Sequence, residues 1–129
     1  MKKRLVVILL ALAAPLLLAL PADASQTNVT GSLVKDQVTY YTTQRLISAS
    51  GSNIYVQKTD GPHISLKWYK CGNRNVSGAW YDFPNTDPTA RIRIGTNFAS
   101  GTYFCLAAWD HGNNSTDTWS GTVWWNVYS

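Results

Sequence analysis

Few side chains in this sequence could do acid–base chemistry. Beyond residue 24 it has six aspartates, two histidines and no glutamate. Glycoside hydrolysis usually needs two carboxylates, one with a raised pKa. Three of the six aspartates, Asp60, Asp87 and Asp117, adjoin Gly, Pro or Thr, where Asp is common in turns. The histidines, His63 and His111, lie in no Ser-His-Asp or Cys-His context, and the serine motif G-x-S-x-G is absent. The sequence therefore predicts a protein that is not an enzyme, with a small Asp-dependent hydrolase as the less favoured alternative.

Polar side chains also cluster in the segment 110–116, which has the composition of a loop. Asp110, His111 and Asp117 flank this segment and could meet at a metal ion, since Asp and His are both competent ligands. Their spacing matches no metal-binding motif, however, and Asp-His-Gly-Asn-Asn is ordinary hairpin-loop sequence. We therefore expect no metal and no cofactor, and we take Asp110, His111 and Asn113 as candidate binding residues.

Tryptophan offers a different chemistry, because an exposed ring can stack on a sugar or anchor a protein interface. In the last predicted strand, the shared apolar phase of Val123, Trp125 and Val127 predicts that Trp125 is buried. Adjacent residues of a strand face opposite sides. Trp124 should then face solvent, together with Asn126, which makes it the main candidate for a binding surface. The alternative is that Trp124 packs under the N-terminal arm or an edge loop.

The other tryptophans divide into two groups. Trp80 and Tyr81 follow a Gly-Ala loop end, and we expect both rings to be exposed and to contribute to binding. The remaining tryptophans are interpreted as core by strand phase or by their context. These are Trp68, Trp109, Trp119 and Trp125.

The sequence has two cysteines, Cys71 and Cys105, so only one intramolecular pairing is possible. Small exported domains often use such a covalent link, because their cores leave little surplus stability. Closing this loop should stabilise the fold by about 3–4 kcal/mol. We predict a Cys71–Cys105 disulfide.

The N-terminus has the composition of an export signal. Three cationic residues at 2–4 precede an apolar run at 5–20 that only Pro15 interrupts, and Ala-Asp-Ala follows at 22–24. This order is typical of a cleavable signal peptide, and the run falls short of the ~20 residues of a comfortable membrane span. We predict that residues 1–24 are removed and that the protein is secreted, in the manner typical of bacteria.

The remaining residues, 25–129, have the length of a single domain. They carry eight basic and six acidic residues, a net charge of +2 that is too small to suggest nucleic acid. Strand- and turn-forming residues are plentiful, and no segment has helical apolar spacing. Alternation in seven or eight short segments, as at Ile64 and Leu66, predicts an all-β fold, a small antiparallel β-sandwich. Residues 72–78 are expected to form a loop, and 25–36 a loose N-terminal arm.

Three segments resemble strands of immunoglobulin variable-type domains, and one of them, 90–98, resembles the fifth strand. Ser-Gly-Thr-Tyr-Phe-Cys at 100–105 resembles the sixth strand, with Tyr103 two residues before Cys105 at the place of the tyrosine corner. Leu-Lys-Trp-Tyr around Trp68 resembles the third strand, whose tryptophan packs in the core. The resemblance implies an immunoglobulin-like sandwich. The cysteines depart from it, because Cys71 follows the core tryptophan, whereas the family's first cysteine precedes it.

These features predict an exported, non-catalytic domain that recognises an extracellular protein or glycan through exposed aromatic and loop residues. Glycan binding requires exposed ring faces with polar groups nearby. Inhibition of a secreted protease or amylase, an alternative function, requires a rigid protruding loop. Neither nucleic acid nor, after signal cleavage, a membrane is expected as a partner.

Overall fold

The computed structural model describes residues 24–111 and 116–128; the predicted signal peptide up to residue 23 and Asn113 lie outside this part. Within it the protein is all-β, with two antiparallel sheets packed face to face. No helix in the described ranges is long and apolar enough to cross a membrane. The strands of these ranges are β1(Ser25–Val34), β2(Val38–Tyr40), β3(Arg45–Leu46), β4(Ser52–Asp60), β5(Ile64–Lys70), β6(Asn73–Ser77), β7(Tyr81–Phe83), β8(Ile92–Phe98), β9(Tyr103–Asp110) and β10(Thr116–Val127).

The first sheet contains β1, β10, β4 and β8 in that order. It corrects the expectation of a loose N-terminal arm, since β1 pairs with β10 over its whole length, from Ser25 opposite Trp125 to Val34 opposite Thr116. Alternate residues of β1 turn toward the second sheet, and Leu33 is fully buried there. Backbone pairing and this apolar contact together hold the segment in place.

The second sheet contains β2, β9, β5 and β6 in that order, with β3 also pairing with β9 and β7 with β5. Most of the loop expected at 72–78 is instead a strand, since β6 pairs with β5 through Tyr69–Ser77 and Lys70–Asn73. Its residues are mostly exposed, so they lack the apolar alternation by which a strand is recognised. Such short pairings bring the strands of the described ranges above the expected seven or eight.

The core lies between the two sheets and takes alternate residues from both. Trp119 is buried as predicted, while Trp68 and Trp125 are half-buried and pack against the core. The prediction for Trp109 is wrong, because its side chain is 39% exposed. β9 is apolar on both of its faces, so hydrophobicity alone could not show which of its residues point toward the core and which point outward. The buried core residues are Leu33, Ile47, Ile54, Val56, Ile64, Leu66, Phe83, Ile94, Phe98, Phe104, Leu106, Ala108, Trp119 and Val123.

The immunoglobulin resemblance holds at the level of a β-sandwich. β5 and β9, which resemble the third and sixth strands, are neighbours as in that family. The last strand is placed differently: β10 lies in the first sheet between β1 and β4, whereas the last immunoglobulin strand lies beside the sixth. Tyr103 also departs from the tyrosine corner, since 48% of it is exposed.

The predicted disulfide between Cys71 and Cys105 is confirmed, with 5.3 Å between the two Cα atoms. It links the end of β5 to the neighbouring β9 and lies on the outer face of the second sheet, not between the sheets. There Cys105 forms a small buried cluster with Tyr69 and Ala107. The outer face of this sheet therefore has a second, smaller core.

A bulge near the end of β10 reverses one predicted orientation. Asn126, expected outside with Trp124, is only 3% exposed, because the register against β4 shifts between Trp124 and Val127 and Asn126 adopts a φ of 58°. Its carboxamide oxygen accepts hydrogen bonds from the backbone N–H groups of Ser48 and Ala49, at 2.9 and 3.1 Å. Bulges commonly turn a side chain in this way.

Candidate functional site

Strand alternation brings polar and aromatic side chains to the outer face of the second sheet. In β5, Ile64 and Leu66 are buried in the core, so Ser65 and Lys67 face outward. Trp109 of β9 stands opposite Ser65 in the register and faces the same way. Side chains from the flanking strands and loops complete this surface.

Four of these side chains form a surface that we call the aromatic strip: Tyr40, Lys67, Trp80 and Trp109. The Trp80 and Trp109 rings meet edge to face, with centroids 6.2 Å apart. The ammonium group of Lys67 lies 4.6 Å from the Trp80 ring and 5.9 Å from the Tyr40 ring. The guanidinium group of Arg74 lies 4.0 Å from the centre of the Tyr40 ring. Because cations are attracted to aromatic faces, these charges help to fix the rings.

The aromatic strip rests on the small buried cluster around Cys105, against which Tyr40 and Trp80 pack. Tyr69 of that cluster meets Tyr40 edge-on at 5.2 Å, and its hydroxyl donates a hydrogen bond to the Tyr41 carbonyl at 2.6 Å. Burial raises the pKa of the Tyr69 phenol above its ordinary value. Packing and a covalent link thus hold the rings from beneath, so a ligand would not have to order them.

Beside the strip lies a second group, the histidine–aspartate cluster of His63, Asp82 and His111. His63 Nε2 contacts the Asp82 carboxylate. The two imidazoles stack with centroids 4.7 Å apart and planes at 30°. Ser65 Oγ lies 2.8 Å from His111 Nε2, and the Trp109 ring lies 4.5 Å from the His111 ring. Trp109 therefore joins the cluster to the aromatic strip.

Three different strands position the histidine–aspartate cluster. His63 immediately precedes β5, Asp82 lies in β7 and His111 follows β9. The register places Ser65 opposite Asp82, and the backbone N–H of His111 donates to the His63 carbonyl at 3.2 Å. These groups are far apart in the chain, and only the pairing of the sheet brings them together.

This cluster does not form a Ser-His-Asp catalytic chain. Such a chain needs one histidine bonded to both the serine and the carboxylate. Here Ser65 is bonded to His111, while Asp82 contacts His63. Ser65 is also buried, with 6% of its surface exposed, so its hydroxyl is poorly placed to attack a substrate.

Two of the predicted binding residues lie on this face: Trp80 in the strip and His111 in the cluster. Trp80 was expected to be exposed but is half-buried, because it packs against the cluster around Cys105. Asp110 does not, because β9 continues through it and turns its side chain toward the interior, where it is fully buried. Tyr81 is 37% exposed, but it precedes Asp82 in β7 and so points to the opposite side of the sheet.

Trp124, the main predicted binding residue, lies on the outer face of the first sheet, opposite Tyr55. The guanidinium group of Arg91 lies 4.5 Å from the Trp124 ring and 4.4 Å from the Tyr55 ring; we call these three residues the first-sheet cluster. Trp124 and Trp125 are both half-buried, so they differ in direction more than in exposure. Trp125 faces the core, with its ring 5.9 Å from Phe104.

Sequence reasoning missed several members of this surface because their types are ordinary in a strand. The alternation of Ile64 and Leu66 already puts His63 and Lys67 on the outer face, so that signal was available. No local signal places Asp82 beside them, since register depends on long-range pairing. The missed residues are Tyr40, His63, Ser65, Lys67 and Asp82.

A groove of about 590 Å³ adjoins the aromatic strip at Tyr40 and has Tyr41, Arg45 and Trp119 in its lining. Trp119 Nε1 donates to the Tyr41 hydroxyl at 2.9 Å, and that hydroxyl donates to the Ser32 carbonyl at 2.8 Å. Burial raises the pKa of Tyr41 and lowers that of Arg45. Because Tyr41 and Trp119 already bond to each other, these two side chains offer less to a ligand than the rings of the aromatic strip.

No protein-family model and no curated protein matches the chain. Among solved structures, it is similar to the pre-peptidase C-terminal domain of a collagenase from Bacillus anthracis, with 19% identity, a TM-score of 0.44, and coverage of 76% of this chain and 88% of that one. It is also similar to the CBM36-1 domain of a multidomain xylanase from the hindgut metagenome of Trinervitermes trinervoides, with 12% identity, a TM-score of 0.48, and coverage of 80% and 96%. At this distance the function has to be argued from the site itself.

Proposed function

We propose that this protein is an exported, non-catalytic domain that binds an extracellular glycan along the aromatic strip. The observation that supports this most directly is the strip itself, in which two tryptophans, a tyrosine and a lysine share the open face of a sheet, with the lysine beside Tyr40 and Trp80. Trp109 is 39% exposed. Amphipathic rings of this kind suit ligands with both apolar faces and hydroxyl groups, which is the chemistry of sugars.

Polar groups stand beside the rings, where a sugar's hydroxyls would need them. The side chains of His63 and Asp82 are 44% and 63% exposed, and Lys67 adds donors within the strip. Together they offer both hydrogen-bond donors and acceptors. The positive charge of Lys67 and Arg74 further favours a glycan that carries acidic groups.

Export is supported by the disulfide and by the N-terminal sequence. A Cys71–Cys105 bond persists in oxidising compartments and is rare in a reducing cytosol. The order of cationic, apolar and small residues in 1–24 is typical of a cleaved signal.

Inhibition of a secreted hydrolase is less well supported. It would require a rigid protruding loop. Of the segment 110–116, which was expected to be a polar loop, Asp110 is fully buried in β9, and residues 112–115 lie outside the described part of the chain. The described surface that stands out is a sheet face lined with rings, and such a face suits an extended chain of sugars.

Retention on insoluble polysaccharides tests the proposal. The protein would be incubated with cellulose, chitin, xylan and peptidoglycan in the presence of a chelator, and the free and bound fractions measured. We expect retention on at least one, and at least about tenfold weaker binding by Trp109→Ala, as for a central aromatic contact. Trp124→Ala, on the opposite sheet, is the matched control and should bind like the wild type. Failure of the folded wild type to bind any of the four, or equal binding by both variants, would overturn the proposal.

A further inference from the structure

We infer that the histidine–aspartate cluster is a binding site for a divalent transition-metal ion of the Zn²⁺ type. One ligand atom from each of His63, Asp82 and His111 lies within 4.8 Å of the other two. The sequence suggested a different set, His111 with Asp110 and Asp117, and gave no reason to expect a site. Metal binding here requires neither a glycan nor the aromatic strip.

The donor set determines the class of ion. Two imidazole nitrogens and one carboxylate oxygen suit Zn²⁺, Cu²⁺ and Ni²⁺, whereas Ca²⁺ and Mg²⁺ prefer oxygen ligands alone. Three protein ligands with one position left for water or another ligand is a common arrangement for Zn²⁺. The carboxylate also contributes the negative charge that neutral imidazoles lack.

The side chains can reach coordination distance without moving the sheet. Metal–ligand distances of 2.0–2.1 Å in a tetrahedral site place the ligand atoms about 3.3 Å apart. His63 and Asp82 are in direct contact, and their side chains are 44% and 63% exposed. Rotation of these side chains can therefore separate the pair enough to admit an ion and bring both ligand atoms to coordination distance with His111. Their backbones are already fixed, because Asp82 lies in a paired strand and His63 accepts the His111 backbone hydrogen bond.

The surroundings of His111 suit a histidine that binds the ion through Nδ1, because Ser65 occupies Nε2. Such histidines usually hydrogen-bond through the ring nitrogen that does not bind the metal, which fixes the tautomer and the ring orientation. Ser65 Oγ lies 2.8 Å from His111 Nε2 and is 6% exposed as a residue, so it is itself held in place. Stacking on His63 and contact with Trp109 hold the same ring from its faces.

Isothermal titration with Zn²⁺ tests the inference. The purified protein, free of any affinity tag and treated with a chelator that is then removed, should bind one Zn²⁺ per chain with a Kd below about 10 µM. Ca²⁺ and Mg²⁺ should give no saturable heat under the same conditions. The experiment contains no polysaccharide, so its result is independent of glycan binding.

Substitutions locate the site. His63→Gln and Asp82→Asn should each weaken Zn²⁺ binding by at least about tenfold, because each removes a ligand. Both side chains are well exposed, so folding should be retained, as circular dichroism would check. Asp36→Asn is the matched control: Asp36 is exposed, and its φ of 57° is one that asparagine accepts. Absence of saturable Zn²⁺ binding, or wild-type affinity in both ligand variants, would overturn the inference.

Discussion

Both outer faces of the sandwich place tryptophan beside a cation. They differ in how much of the aromatic surface the cation and the neighbouring rings cover. In the first-sheet cluster the Arg91 guanidinium lies close to both rings, at 4.4 Å from Tyr55 and 4.5 Å from Trp124. In the aromatic strip the Lys67 ammonium lies 4.6 Å from the Trp80 ring and 5.9 Å from the Tyr40 ring, while Trp109 meets Trp80 edge-on and stays 39% exposed. The first arrangement satisfies its own members, and the second leaves ring surface available to a ligand.

The two faces also differ in what lies beneath them. The first-sheet cluster sits on β4, whose Ile54 and Val56 are fully buried in the main core. The aromatic strip sits on a separate small cluster that contains the disulfide cysteine Cys105. The proposed binding surface therefore has a second support in addition to the main core beneath β5 and β9, and that second support is partly covalent.

Removal of the disulfide should have the largest effect, because it withdraws this support. Replacing Cys71 and Cys105 together by alanine should lower the free energy of unfolding by about 3–4 kcal/mol, measured by chemical denaturation. Alanine avoids placing a polar hydroxyl at Cys105, which is 1% exposed. Reduction of the wild type should give a similar loss. If the free energy of unfolding falls by less than about 1 kcal/mol, packing alone holds the cluster around Cys105. That result would contradict the stabilisation expected from closing the loop between the two cysteines.

The adjacent tryptophans of β10 give the next largest contrast. Trp125 packs against Phe104 and donates from Nε1 to the Leu46 carbonyl at 3.0 Å, so Trp125→Ala should cost about 3 kcal/mol of stability. Trp124 faces outward against Arg91, so Trp124→Ala should cost about 1 kcal/mol. Thermal or urea unfolding of both variants measures the difference. Equal losses would show that the outer ring is as much a part of the packing as the inner one.

Local pattern predicted much of this architecture but little of the site. Alternation placed Ile64 and Leu66 inside correctly, and a single pair of cysteines left one pairing. The phase of Trp109 could not be predicted, because β9 is apolar on both faces. The position of β10 in the first sheet, and the meeting of His63 with Asp82, depend on pairing between distant segments, which leaves no local trace.

Alkaline pH should weaken the fold through the tyrosine beneath the aromatic strip. Burial raises the pKa of Tyr69 above 10.0, its ordinary value, so the unfolded chain loses this proton at a lower pH than the folded one. The stability that the neutral phenol contributes is therefore complete below about pH 10 and is lost as the pH rises through the folded-state pKa.

Unfolding measured from pH 8 to pH 11 checks this dependence. Tyr69→Phe should cost about 1 kcal/mol at neutral pH, because the hydrogen bond to the Tyr41 carbonyl is lost. Above pH 10 the variant should lose stability less steeply than the wild type. Identical pH profiles for the two proteins would assign the alkaline loss to other groups, among them Tyr41, whose pKa is also raised by burial.

Replacing the cation of each face should give the smallest changes in stability, but it should separate the two faces by their effect on polysaccharide retention. Methionine keeps an unbranched apolar side chain and removes the charge, so Arg91→Met and Lys67→Met are matched substitutions. Arg91→Met should lower stability by about 0.5–1 kcal/mol, because one guanidinium serves both Tyr55 and Trp124. Lys67→Met should change stability by less than about 0.5 kcal/mol, yet it should weaken retention on whichever polysaccharide binds the wild type. If Arg91→Met weakens retention and Lys67→Met does not, the binding face is the first sheet, and the roles assigned to the two faces are reversed.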